Sequence, residues 1–94
     1  MVPAQRVLSG LIASVIRPAP LCEEKVTFAW RTSVGAAMAR ATRVRLRPEG
    51  LLQVTADTPA WTREVERSIG LIRSRLEAFL GPDVIQRVEI HDHD

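Results

Sequence analysis

Apolar residues recur along this chain at two different periods, and the changes of period mark out its elements. Val7, Leu8, Leu11, Ile12, Val15 and Ile16 fall on one face of a 3.6-residue repeat, which predicts a helix over residues 3–16. Pro18 and Pro20 close it, because proline lacks an amide donor and turns its predecessor away from helix. A second helix is expected over residues 22–40. Glu23 and Glu24 lie in its first turn, where the helix dipole favours negative charge, and Arg40 in its last. Its inner face would carry Val26, Trp30, Val34, Ala37 and Ala41. Gly35-Ala36-Ala37 would leave its middle slim enough for another backbone to approach.

The period then falls to two. Arg43-Val44-Arg45-Leu46-Arg47 alternates strictly, as a strand with one face inward does. Pro48-Glu49-Gly50 supplies turn chemistry, and residues 51–56 return as the second strand of a hairpin. Asp57 or Thr58 would cap a third helix, with Pro59 at its start. Trp61, Val65, Ile69, Ile72, Leu76, Phe79 and Leu80 continue it in helical phase until Gly81-Pro82. Residues 84–90 read as a third strand, and His91-Asp92-His93-Asp94 as a fraying tail. The whole predicts one α+β domain over residues 1–94, with the order α-α-β-β-α-β and residues 1–20 forming the first helix and its proline-containing connector. Three amphipathic helices cover one face of a three-stranded sheet and leave the other open. Arg43, Arg45 and Arg47 then project from the open face or its rim.

Composition narrows the function. At 46% apolar and 26% charged, the chain has the balance of a folded domain rather than a disordered tail. No apolar run approaches the ~20 residues that span a bilayer. Ser9, Gly10 and Ser14 interrupt the apolar stretch near the start and Arg17 follows it, which argues against a secretory signal and for the cytoplasm. The single cysteine, Cys22, cannot close an internal disulfide and reads as an inert buried thiol.

The net charge of +2 hides an asymmetry. From Lys25 to Pro48 there are six basic residues (Lys25, Arg31, Arg40, Arg43, Arg45, Arg47) and no acid. A local basic patch is what an anionic partner feels. The ladder Arg43, Arg45, Arg47 spaces its guanidinium groups about 6.5–7 Å apart on one side of a strand, comparable with successive phosphates of an extended nucleic-acid strand. The plainer reading is an exposed strand kept soluble by like charge. If all six residues met phosphates, log affinity would fall against log salt with a slope of about −5 on duplex DNA.

Other chemistry is sparse. Trp30 and Trp61 sit in phase with the apolar faces of their helices and read as core. His91 and His93 offer at most two metal ligands without partners elsewhere. Glycine loops that cradle phosphate, Walker-type lysines and a marked general base are missing from the sequence, so no cofactor and no enzyme activity are expected.

Trp30-Arg31-Thr32-Ser33-Val34-Gly35, Met38-Ala39, Leu46, Gly50-Leu51-Leu52-Gln53-Val54, Ala60-Trp61, Leu76, Leu80-Gly81, Val84, Val88 and Ile90 form an ordered set. Over this stretch the chain resembles the DciA-type family of bacterial replicative-helicase loaders. The resemblance implies a KH-like domain that contacts DNA and the ring-shaped replicative helicase, and assists loading without hydrolysing nucleotide. Many members carry a further segment beyond the domain that engages the helicase; this sequence stops four residues after Ile90. Neither Gly35-Ala36-Ala37-Met38 nor Gly81-Pro82-Asp83-Val84 completes the GxxG loop with which KH domains clamp a nucleic-acid backbone. The resulting expectation is a replication accessory factor holding single-stranded or duplex DNA by its phosphates through the six basic residues. A protein-interaction module, with the arginines facing acidic side chains, and an RNA-binding module are the alternatives.

Overall fold

The computed structural model describes residues 20–92. Their elements are α1 (Glu23–Val34), α2 (Ala36–Ala41), β1 (Thr42–Arg47), a 3-10 turn (Pro48–Gly50), β2 (Leu51–Ala56), α3 (Pro59–Leu80) and β3 (Arg87–Asp92). The order α-α-β-β-α-β and the α+β class agree with the sequence pattern. The helix expected over residues 3–16, however, lies outside the described residues. Both leading helices come from the segment read as one helix over residues 22–40.

Gly35 divides that segment. Its φ of 86° and ψ of 168° fall in a region essentially reserved for glycine, and its N–H returns to the carbonyl of Arg31 at 3.2 Å. The break turns the following residues by a new phase. Ala37, expected inward, is exposed, while Met38 and Ala41 are buried. Cys22 departs from expectation too: it is the exposed N-terminal cap residue of α1, not a buried thiol.

What the break achieves is visible at Trp30, whose side chain is 2% exposed. Its indole N–H donates to the hydroxyl of Thr42 at 2.8 Å, and that hydroxyl donates onward to the carbonyl of Met38 at 2.7 Å. An unpartnered indole N–H in an apolar interior is costly, so this pair of bonds locks α1, α2 and the first residue of β1 into one corner.

β2 is the central strand. It pairs antiparallel with β1, Thr42 opposite Ala56 and Arg47 opposite Leu51, and parallel with β3, Leu51 opposite Arg87 and Ala56 opposite Asp92. Leu52, Val54 and Ala56 point to the buried side. Val26, Ala29, Trp30 and Met38 from α1 and α2, and Val65, Ile72, Leu76, Phe79 and Leu80 from α3, complete the core there. Trp61 and Ile69 pack at its border, half-buried. All three helices therefore share one face of the sheet, as three amphipathic helices should.

α3 begins where expected. Thr58 is its cap, its hydroxyl accepting from the amide of Trp61 at 3.2 Å, with Pro59 in the first turn. Its end at Gly81 is also as read, but β3 starts later than residue 84. Val84 and Ile85 instead form a plug, Ile85 only 2% exposed, and the strand begins at Arg87. Two contacts hold this plug. The Arg73 guanidinium donates to the carbonyls of Ile85 and Gln86, and the amide of Gln86 donates to the carbonyl of Gly50 at 2.8 Å. The strand also runs further than expected: His91 and Asp92 belong to β3 rather than to a frayed end, with the Thr62 hydroxyl donating to the Asp92 carboxylate.

Gly50 is where the hairpin turn and the plug cross. Its φ is 76°, and a Cβ there would lie 2.7 Å from the Val84 carbonyl and 2.9 Å from the Gln86 amide. Gly50→Ala combines a left-handed backbone with a backbone clash, and is expected to cost about 2–3 kcal/mol. Urea denaturation of the two proteins measures it; a loss under roughly 0.5 kcal/mol would contradict the crossing described here.

Candidate functional site

The strand registers arrange the open side of the sheet into three rows. They read Arg43-Thr55-His91, Arg45-Gln53-Glu89 and Arg47-Leu51-Arg87. Residues paired in register point to the same side, so these nine side chains form one surface, opposite the helices. All three ladder arginines are exposed while Val44 and Leu46 between them turn inward. Arg87 joins them from β3, two strands away from Arg47, at a span of about 9–10 Å.

The charge on this face is graded. Arg43 is 3.4 Å from the Asp57 carboxylate, an acid that the chain order places beyond the basic segment but the hairpin brings to its end. Both side chains are solvent-exposed, so the pair is worth at most about 1 kcal/mol. Glu89 is 3.3 Å from the His91 ring on β3. Among the described residues, Arg45, Arg47 and Arg87 take part in no salt bridge. Arg45, Arg47 and Arg87 are thus the cations of this face outside a salt bridge, with Glu89 in the Arg45 row and Glu49 in the turn beside them. No Phe or Trp lies among the nine residues.

The remaining three sequence candidates lie elsewhere. Lys25 is buried, at 8% exposure, with the core-facing residues of α1, apart from the open sheet face. Arg31 and Arg40 are exposed on the helical side, where with Phe28, Thr32, Ala36 and Ala39 they line a shallow groove between α1 and α2. A second depression, on the other flank of Phe28, is lined by Glu23, Glu24, Thr27 and Arg31. The Glu24 carboxyl there is held below its ordinary range by a hydrogen bond to its own backbone, and secondarily by the Cys22 side chain. The six basic residues therefore divide into a ladder, a groove pair and a buried lysine.

Arg87 is the open-face arginine that sequence reasoning missed. The alternation Arg87-Val88-Glu89-Ile90-His91 is visible in the sequence, but only the parallel register with β2 puts Arg87 in the row of Arg47, across Leu51. Two further arginines serve the fold. Arg73 clamps the plug, and Arg75 donates to the Ser33 carbonyl at 2.9 Å where α1 ends.

Because Arg45 and Arg47 are exposed and unpaired in the ion pairs above, reversing both to glutamate should leave the fold intact. The expected change in unfolding free energy is within about 1 kcal/mol, read by circular dichroism during urea titration. A larger loss would mean the ladder holds the sheet together rather than serving as a surface.

Among the described residues no helix is long and apolar enough to cross a membrane. A comparison with curated proteins returns no match. The family model described as "Dna[CI] antecedent, DciA" matches residues 4–90, extending past the Trp30–Ile90 stretch that carries the resemblance. With the expected element order in place and nearly the whole chain matched, this protein belongs to the DciA family, whose role in DNA replication is that of a helicase loader.

Proposed function

We propose that this protein is a DNA-binding accessory factor of replication that acts in the cytoplasm, and that it aids the replicative helicase onto DNA without hydrolysing nucleotide. The observation that carries the DNA contact is the open sheet face, where Arg43, Arg45, Arg47 and Arg87 present guanidinium groups on one rigid platform. Guanidinium forks suit phosphate oxygens, and strands hold their spacing better than loops do.

The chemistry of the face also limits what it reads. With no Phe or Trp on the face to stack bases, binding rests mainly on the backbone phosphates, which position a protein but carry no sequence information. Little base preference follows. Gln53 and Thr55, between the two arginine-bearing strands, add neutral hydrogen-bonding groups that phosphate or sugar oxygens can use. Arg43, shared with Asp57, contributes least. The part played by the helicase rests on the family alone, since nothing on the open face itself selects a protein partner.

Fluorescence anisotropy of labelled single-stranded and duplex oligonucleotides across a salt series tests this reading. Four phosphates neutralised by four arginines predict a slope of log affinity against log salt of about −3.6 on duplex and about −2.8 on single strands. Reversing Arg45, Arg47 and Arg87 to glutamate should weaken binding by at least about tenfold and flatten that slope. If the folded triple variant binds either oligonucleotide as tightly as the parent protein, the sheet face is not the DNA site.

A further inference from the structure

The helical side carries a second surface with different chemistry. Phe28 is 42% exposed, although the chain has only four aromatic residues to spend on its core. Its ring is not loose: it stands edge-on to Phe79, with centroids 6.2 Å apart and planes at 77°. The groove beside it exists because α1 stops at Gly35 and small side chains, Ala36 and Ala39, follow on α2. Arg31 and Arg40 complete the lining, and no acid contributes to it.

We propose that this α1–α2 groove docks an acidic amphipathic peptide segment of a partner protein, an apolar side chain resting on Phe28 and a carboxylate lying between Arg31 and Arg40. Charge complementarity selects this occupant. A nucleic-acid strand crossing Phe28 would meet Glu23 and Glu24 on its other flank, where two carboxylates repel phosphates. A peptide has no such conflict, since it can present a carboxylate on one side of its apolar anchor and a neutral or basic group on the other. The chain's own residues 1–20 are a poor match, because they hold Arg6 and Arg17 and no acid. The groove lies on the helical layer and not on the open sheet face, so the two surfaces share no residue.

The test is a nuclear magnetic resonance titration of the full chain, isotope-labelled on nitrogen. The probes are a synthetic helix-forming peptide with leucines and glutamates on one face, the same peptide with lysine for each glutamate, and an oligothymidylate. The acidic peptide should shift the amides of Phe28, Arg31, Ala36, Ala39 and Arg40, and Arg31→Glu with Arg40→Glu should weaken it on the order of tenfold. Both arginines are exposed, so the double variant should keep its fold. Equal or stronger binding of the lysine peptide would overturn the proposal. So would oligothymidylate shifting the groove amides, which would make this a nucleic-acid surface, or an acidic peptide at millimolar concentration leaving them unmoved.

Discussion

The buried indole of Trp30 is the constraint around which the described fold is arranged. A ring that large belongs in the core, but its N–H needs an acceptor there. Thr42 supplies it and passes the bond on to the Met38 carbonyl, so the start of the sheet is fixed against the end of the helical layer. Helix propensity alone would carry α1 onward through the alanines. Gly35 interrupts it, and the short α2 carries the chain back until Thr42 reaches the indole. Everything downstream inherits this corner: β1 leaves Thr42 with its arginines outward, and β2 lies beside it with Leu52 and Val54 inward.

The same corner separates two surfaces of positive charge. Arg31 and Arg40 come before it and stay on the helical side, while Arg43, Arg45 and Arg47 come after it and turn to the open sheet face. A single basic stretch in the chain thereby becomes two surfaces with different neighbours. On the sheet the arginines share a platform with Leu51, Gln53, Thr55, Glu89 and His91, and no Phe or Trp. In the groove they flank an exposed phenylalanine, with carboxylates close by. The guanidinium groups thus stand on a strand face in one setting and beside an apolar ring in the other.

A second crossing, where Gly50 meets Val84 and Gln86, sets the position of β3. Because Ile85 is drawn into the core there and Arg73 holds its carbonyl, the strand starts at Arg87 and runs parallel to β2 as far as Asp92. That start decides which residue stands in the Arg47 row. Had β3 begun elsewhere by one residue, Val88 would face solvent and Arg87 the core, since side chains alternate with a period of two.

The sequence by itself determined the elements whose signals are local. The alternation of residues 43–47, the turn at Pro48-Glu49-Gly50, and the cap and apolar stripe of α3 were all legible, because period, proline and capping chemistry act within a few residues. The family resemblance, carried by two tryptophans, a hairpin glycine and a terminal strand in order, was legible as well. What only the tertiary structure decided were matters of long-range pairing. Gly35 reads equally as a slim helical position or a break, and the indole bond to a residue twelve further on selects the break. Lys25 reads as a free cation until the packing of α1 buries it, and Asp57 reads as remote from Arg43 until the hairpin folds. Arg87 enters the basic face through a register that depends on a plug and a glycine thirty-five residues before the plug residue Ile85. Such pairings are set by burial and hydrogen-bond satisfaction across the whole core, which no window of the chain contains.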